Sequence, residues 1–350
     1  MQIETIRRLP KALLHDHLDG GLRPQTVIEL ADAAAYTALP TTDPRELADW
    51  FDQGRSGSLE AYLAAFTHTV GVMQTTDALE RVAYEAVVDL HADGVVYAET
   101  RFGPSLHTKG GLGREDAIEA VLAGLRRGAG ETGMVTGVIV DALRNETDSE
   151  AVARAAARFS GAGVVAFDLS GPEAAHPADG FQAACRIARE SGLGLTIHAG
   201  EGAGPNSIWR ALAVCGAQRI GHGVRIVEDI ELRGGEAVRI GPLAASVRDQ
   251  RIPLEVCITS NLHTGIAEDV AHHPFGTLFD AGFAVTLNTD NRLMSAVMLS
   301  DEIAAASTAF GLSLADLGCL TRRAIEAGFG DWGDRRRLLR DVIEPAYTAS

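Results

Sequence analysis

His15 and His17 stand two residues apart near the start of the chain. Three more polar runs follow: His198-Ala199-Gly200-Glu201, Gly221-His222-Gly223 and Asn288-Thr289-Asp290. Each run closes a short apolar segment of β-strand character. The imidazoles of His15, His17 and His198 and the carboxylate of Asp290 make a donor set for one Zn²⁺ ion, with a position left for water. Bound zinc brings the pKa of such a water down to about 7, so the inventory implies hydrolysis. Glu201 and His222 remain for moving protons. Glu201, three residues past His198 on the same loop, suits proton donation to a substrate. It also reads as a first-turn carboxylate of a helix beginning near Asn206. His222, with Asp290, suits orienting and deprotonating the water.

These residues need strands to position them. Apolar strand segments are expected at Ala12–His17, Val95–Phe102, Met134–Asp141, Val164–Leu169, Leu193–His198, Arg219–His222, Leu254–Thr259 and Ala284–Asn288. Helical patterns fall between most of them, at Ala78–Ala92, Arg114–Gly128, Glu150–Phe159, Gly180–Ser191, Ile208–Gly216, Gly235–Asp249 and His273–Ala281. This eightfold alternation of strand and helix is the pattern of an α/β (β/α)₈ TIM barrel, here one domain over residues 1–350. Residues two apart on a strand share a face, so His15 and His17 enter the barrel together. His198 ends the fifth strand, and Asp290 follows the eighth, which closes beside the first. All four then converge at the C-terminal mouth, where barrel active sites lie.

Two regions exceed the bare repeat. Leu18–Asp93 is too long for one crossover and is expected to carry extra helices after the first strand. Within it, Leu59, Tyr62, Leu63 and Phe66 form one apolar face, placed either over the mouth as a lid or against the outer helices. Further helices, including Ala315–Ala327 and Arg335–Ala346, are expected outside the barrel at the C-terminus.

The net charge of −16 argues against nucleic acid or anionic membrane as a partner and leaves a small-molecule partner open. Cys185, Cys215, Cys257 and Cys319 lack metal-finger spacing and read as buried free thiols, which with the absence of a signal segment points to the cytoplasm. A two-metal hydrolase on the same barrel would call for a lysine on the fourth strand. The chain has only Lys11 and Lys109, so one ion per chain is expected.

The run Leu9-Pro10-Lys11-Ala12-Leu13-Leu14-His15-Asp16-His17-Leu18-Asp19-Gly20, with the His-Ala-Gly-Glu, Gly-His-Gly and Leu-Asn-Thr-Asp runs in that order, resembles the adenosine/AMP deaminase family over nearly the whole chain. The resemblance implies a zinc-dependent barrel that hydrolyses adenosine and 2′-deoxyadenosine to inosine products and ammonia, in purine salvage. It implies that His15, His17, His198 and Asp290 hold the metal, that Glu201 protonates N1, and that His222 with Asp290 activates the water. It also implies substrate contacts from His17, from Asp19 to the ribose 5′-hydroxyl, from the main chain of Gly171 to N3, and from residue 291 to N7. Many members carry a second Asp after the metal-binding one, whereas this chain has Asn291. Its amide is a donor at any pH. Adenine or a modified adenosine such as aminodeoxyfutalosine is the alternative substrate, and a purine-binding barrel without catalysis is a third reading.

Overall fold

The computed structural model describes residues 1–52, 62, 65–233 and 236–348. Eight strands form one parallel sheet: β1 (Lys11–His17), β2 (Val95–Phe102), β3 (Val135–Leu143), β4 (Val164–Ser170), β5 (Gly194–Ala199), β6 (Arg219–His222), then β9 (Leu254–Val256) and β10 (Val285–Leu287) in neighbour order. A separate antiparallel hairpin, β7 (Ile230–Arg233) and β8 (Glu236–Ile240), lies in the chain between them. The sheet closes beyond β10: Asp290 bridges Asp16 in parallel register, with the Asp290 N–H donating to His15 O at 3.0 Å and the His17 N–H to Asp290 O at 2.7 Å. The result is the expected α/β TIM barrel.

The strands are rich in Val, Ile, Leu and Ala because helices cover the sheet. Leu13, Val138, Val140, Phe167, Leu169, Ile197 and Ile220 belong to one buried apolar cluster with the helices outside. Extra helices follow β1 at Pro24–Ala33, Pro44–Phe51 and Phe66–Val72, before the crossover helix Thr76–Ala92. Helix Leu314–Ala327 and the segment Trp332–Thr348 follow the last crossover, and Ala324, Ile325, Leu338, Leu339 and Ile343 pack on Ala12, Leu14 and Tyr97 outside β1 and β2. Among the described residues, no helix is long and apolar enough to cross a membrane.

Three local expectations change. The helix expected at Gly235–Asp249 begins only at Pro242, and Glu236–Ile240 pairs with Ile230–Arg233 instead. Proline suits the first helical turn and cannot sit in its interior, so it marks this start. The strand expected to run to Thr259 stops at Val256, and helix Ile258–His263 begins at once. The Glu302 carboxylate accepts the N–H groups of Ile258 and Thr259, both at 3.0 Å, and so caps that helix from a distant segment. The helix expected at Ile208–Gly216 is α-helical over Pro205–Trp209 and a π-helix over Arg210–Cys215. Of the apolar face at 59–66, Leu59 and Leu63 lie outside the described residues. Tyr62 and Phe66 line the cavity at the barrel mouth, and the Tyr62 hydroxyl is 2.8 Å from Ser295 Oγ.

Candidate metal centre and active site

The ends of β1, β5 and the loop after β10 bring His15, His17, His198 and Asp290 together, with one donor atom from each within 4.8 Å of the others. Asp290 Oδ1 lies 3.3 Å from His15 Nε2 and 3.4 Å from His17 Nε2, and His17 Nε2 lies 3.2 Å from His198 Nε2. Behind the rings stand carboxylates. His15 Nδ1 is 2.9 Å from Glu255 Oε2, and His198 Nδ1 is 3.0 Å from Asp168 Oδ2. Glu255 draws the His15 ring proton to Nδ1 through a hydrogen bond, and the Asp168 charge favours a proton on His198 Nδ1, which leaves the Nε2 lone pairs facing the centre. His15 Nε2 is buried and makes no hydrogen bond. Inward lone pairs beside a carboxylate, with no proton of their own, are what a cation would satisfy. The residues fit a metal ion.

Arg101 ties those supports together inside the barrel. Its guanidinium donates to Asp168 Oδ2, to Glu255 Oε2 at 2.7 Å and to Leu14 O at 2.7 Å. Arg219 donates to Glu255 Oε1 and Glu99 Oε2, both at 2.6 Å. Burial alone would raise the Asp168 carboxyl, but its neighbours His198 and the Arg101 guanidinium carry it below the usual carboxylate range. Arg101, Asp168 and Glu255 were not foreseen from sequence, although a charged residue inside an apolar strand, as in Leu254-Glu255-Val256, is a visible signal.

Glu201 and His222 sit beside the cluster. Glu201 Oε1 accepts from Thr264 Oγ1 at 3.0 Å and from Asn261 Nδ2 at 3.3 Å, whereas Oε2 lies 3.5 Å from His222 Nε2. Helix Pro205–Trp209 begins after Gly204, so the Glu201 side chain is engaged here and is not a cap. Burial pushes the Glu201 carboxyl up to about 8, with the Asp290 charge adding to the rise. The loop carrying it is held by Glu173, whose carboxylate accepts the N–H groups of Gly200, Glu201, Gly202 and Ala203 at 2.7 to 3.2 Å. Nothing in the Gly171-Pro172-Glu173 stretch signalled that role. His222 (φ +60°) and Asp290 (φ +58°) both hold left-handed backbone, which costs a non-glycine residue about 1–3 kcal/mol and concentrates at working sites.

A cavity of about 470 Å³ opens over this cluster. His17, Asp19, Gly171, Glu201, His222 and Asn291 all line it. Gly171 has φ +94°, where a side chain is strained, so its bare main chain faces the cavity at low cost. Asp19 is buried, its Oδ1 has no partner, and burial raises its carboxyl to about 7. His107 Nε2, 3.9 Å from Asp19 Oδ2, is also buried without a hydrogen bond. The Asn291 amide packs on Gly20, where an added Cβ would fall 2.1 Å from Oδ1. That contact explains the glycine in the first motif.

The profile of the adenosine deaminase family matches residues 10–345, covering the barrel and every residue of this site. The chain belongs to the adenosine deaminase family. A family member from Mycobacterium leprae, named adenosine deaminase, is 48% identical over 99% of this chain and 98% of its own length. Among solved structures, an adenine deaminase from Arthrobacter aurescens superposes with a TM-score of 0.87 at 24% identity, covering 97% of this chain and 100% of that one. The N6-methyl-AMP deaminase of Arabidopsis thaliana superposes with a TM-score of 0.82 at 27% identity over 99% of both chains. The fold is thus common to deaminases of different purines, and the contacts around the base and sugar must separate them.

Proposed function

We propose that this chain, as one catalytic domain over residues 1–350, hydrolyses adenosine and 2′-deoxyadenosine to inosine or 2′-deoxyinosine and ammonia in the cytoplasm, serving purine salvage. One observation carries the mechanism: a buried carboxyl that favours its protonated form, Glu201, stands beside a four-donor cluster on the floor of a nucleoside-sized cavity. Near-full-length identity of 48% to a chain named adenosine deaminase supports the substrate.

His15, His17, His198 and Asp290 would hold one Zn²⁺ ion. When bound, such an ion acts as a Lewis acid that makes water acidic enough to attack at neutral pH. Gly171 presents its main chain to N3, Asn291 its amide to N7, and Asp19 with His17 meets the ribose 5′-hydroxyl. These contacts fix the ring with C6 over the cluster. Attack at C6 puts negative charge on N1. Glu201 Oε1 is committed to two donors, so its acid proton sits on Oε2 and passes from there to N1. His222 and Asp290 together orient and activate the water. The proton taken from the water then passes to the amino group and the C6 hydroxyl proton returns to Glu201, so that ammonia leaves and the carbonyl of inosine remains.

The buried carboxyl of Asp19 at the sugar end, with Oδ1 unpartnered, suits a hydrogen bond to a 5′-hydroxyl. Loss of adenine absorbance with adenosine, 2′-deoxyadenosine, adenine and AMP tests the reading. Both nucleosides are expected to exceed adenine and AMP in kcat/KM by a factor on the order of 10² or more; preference for adenine or AMP would overturn it. One zinc per chain is expected by metal analysis, and two tightly held ions would contradict the single-ion site.

The Asn291 amide carries its donor at every pH, so Asn291→Asp is expected to retain adenosine turnover while adding a titrating group. Turnover abolished in a folded, metal-loaded Asn291→Asp protein would rule out the N7-donor role.

A further inference from the structure

We infer that Asn261 and His273 form a hydrogen-bond relay that fixes His222 as the Nε2–H tautomer, making His222 a hydrogen-bond donor to the reacting water and leaving Asp290 to take the water's proton. The inference rests on the deaminase reading of the site, but the tautomer itself follows from hydrogen-bond directions alone.

The relay starts at a group whose direction is beyond doubt. The Phe275 backbone N–H, an orphan donor at the start of helix Phe275–Asp280, points at His273 Nδ1 from 3.0 Å. A backbone N–H only donates, so Nδ1 carries a lone pair. The ring is buried, and burial lowers its pKa to about 3, so it is neutral and its one proton lies on Nε2. Nε2 faces Asn261 Oδ1 at 3.3 Å. That donor fixes which end of the Asn261 amide is oxygen and which is nitrogen.

Asn261 Nδ2 consequently faces the site. It lies 3.3 Å from Glu201 Oε1 and 3.1 Å from His222 Nδ1. A flipped amide would set its NH₂ against the His273 Nε2–H, donor against donor, and its oxygen against the Glu201 carboxyl. An NH₂ group cannot accept, so His222 Nδ1 must. An imidazole ring always carries at least one proton, and Nδ1, as an acceptor, has none. Its proton therefore sits on Nε2, the nitrogen turned toward the cavity and 3.5 Å from Glu201 Oε2. One amide on helix Ile258–His263 thus sets the tautomer of His222 and holds the oxygen of Glu201 that does not carry the acid proton. Asn261 and His273 are positioning residues, since neither lines the cavity.

The test is a nitrogen NMR spectrum of zinc-loaded, ¹⁵N-histidine-labelled protein, with the His222 signals identified by their loss in His222→Gln. The expected wild-type spectrum shows His222 with Nδ1 bare and Nε2 protonated; the opposite pattern would overturn the inference without any variant and without any assay of turnover. Asn261→Asp, nearly isosteric, puts an acceptor where the donor was. It is expected to move the ring proton to Nδ1 and to lower kcat by about 10²-fold or more, with zinc content unchanged and KM within about threefold. His273→Gln, whose amide donates in place of Nε2–H, is expected to keep the wild-type tautomer. An Asn261→Asp protein with the wild-type tautomer and kcat would refute the relay. Loss of adenosine turnover in the wild type with the expected spectrum intact would instead count against the deaminase reading alone.

Discussion

Glu201→Gln is expected to lower kcat/KM for adenosine by a factor on the order of 10³ while leaving bound zinc and KM nearly unchanged. The substitution keeps the shape and the contacts of Oε1 with Asn261 and Thr264 but removes the acid proton that Glu201 would give to N1. General-acid groups are worth about 10²–10⁴-fold, and this one acts where the transition state has more charge than the ground state. The pH profile carries the sign. Glu201 works protonated, and its carboxyl is raised to about 8, so the acid form prevails at neutral pH and activity falls as pH rises through that value. A bound dication nearby favours the carboxylate and moves the limb lower. An alkaline limb of kcat/KM at or below about pH 8, lost in Glu201→Gln, is the expected pair of results. Unchanged turnover in Glu201→Gln would remove it from the reaction.

Arg101→Met is expected to destabilise the fold by about 3–5 kcal/mol and to weaken zinc binding by about 10–100-fold. The reason is the arrangement behind the histidines. Arg101 is fully buried and neutralises Asp168 and Glu255 at once, and those two carboxylates orient the rings of His198 and His15. Without the guanidinium, both carboxylates remain inside the barrel with one partner fewer, although Arg219 still serves Glu255. They would take up protons, release the imidazole N–H groups and let the rings turn. Urea denaturation and chelator competition read the two effects separately. A variant that loses stability but binds zinc as tightly as the wild type would separate Arg101 from the metal site.

The chemistry-bearing residues were legible because metal ligation and proton transfer restrict residue type, and the strand period of two sorts side chains by face. His15, His17, His198 and Asp290 lie together as that argument required. Boundaries were less legible. The segment Glu236–Ile240 alternates weakly and by its own pattern joins the helix that follows, since pairing with Ile230–Arg233 is what makes it a strand. The early end of β9 is set by Glu302, 44 residues away from Ile258, which no local pattern reports.

The supporting residues were the hardest to see. Glu173, Asn261, His273, Asp168 and Glu255 are ordinary polar residues in the sequence, without a spacing that sets them apart. Their work depends on which atom of which group lies within hydrogen-bond distance, a property of the closed barrel.

The sequence by itself determined the alternation that builds a (β/α)₈ barrel, and it singled out the donors His15, His17, His198 and Asp290 that the fold gathers, with Glu201 and His222 beside them. It could do so because these depend on residue type and on spacing along one strand or across successive strands. Only the tertiary structure decided which nitrogen of His222 carries the proton, which oxygen of Glu201 carries its own, and what holds the metal-facing rings in place. Those follow from hydrogen-bond directions between segments far apart in the chain, and direction exists only once the barrel has closed.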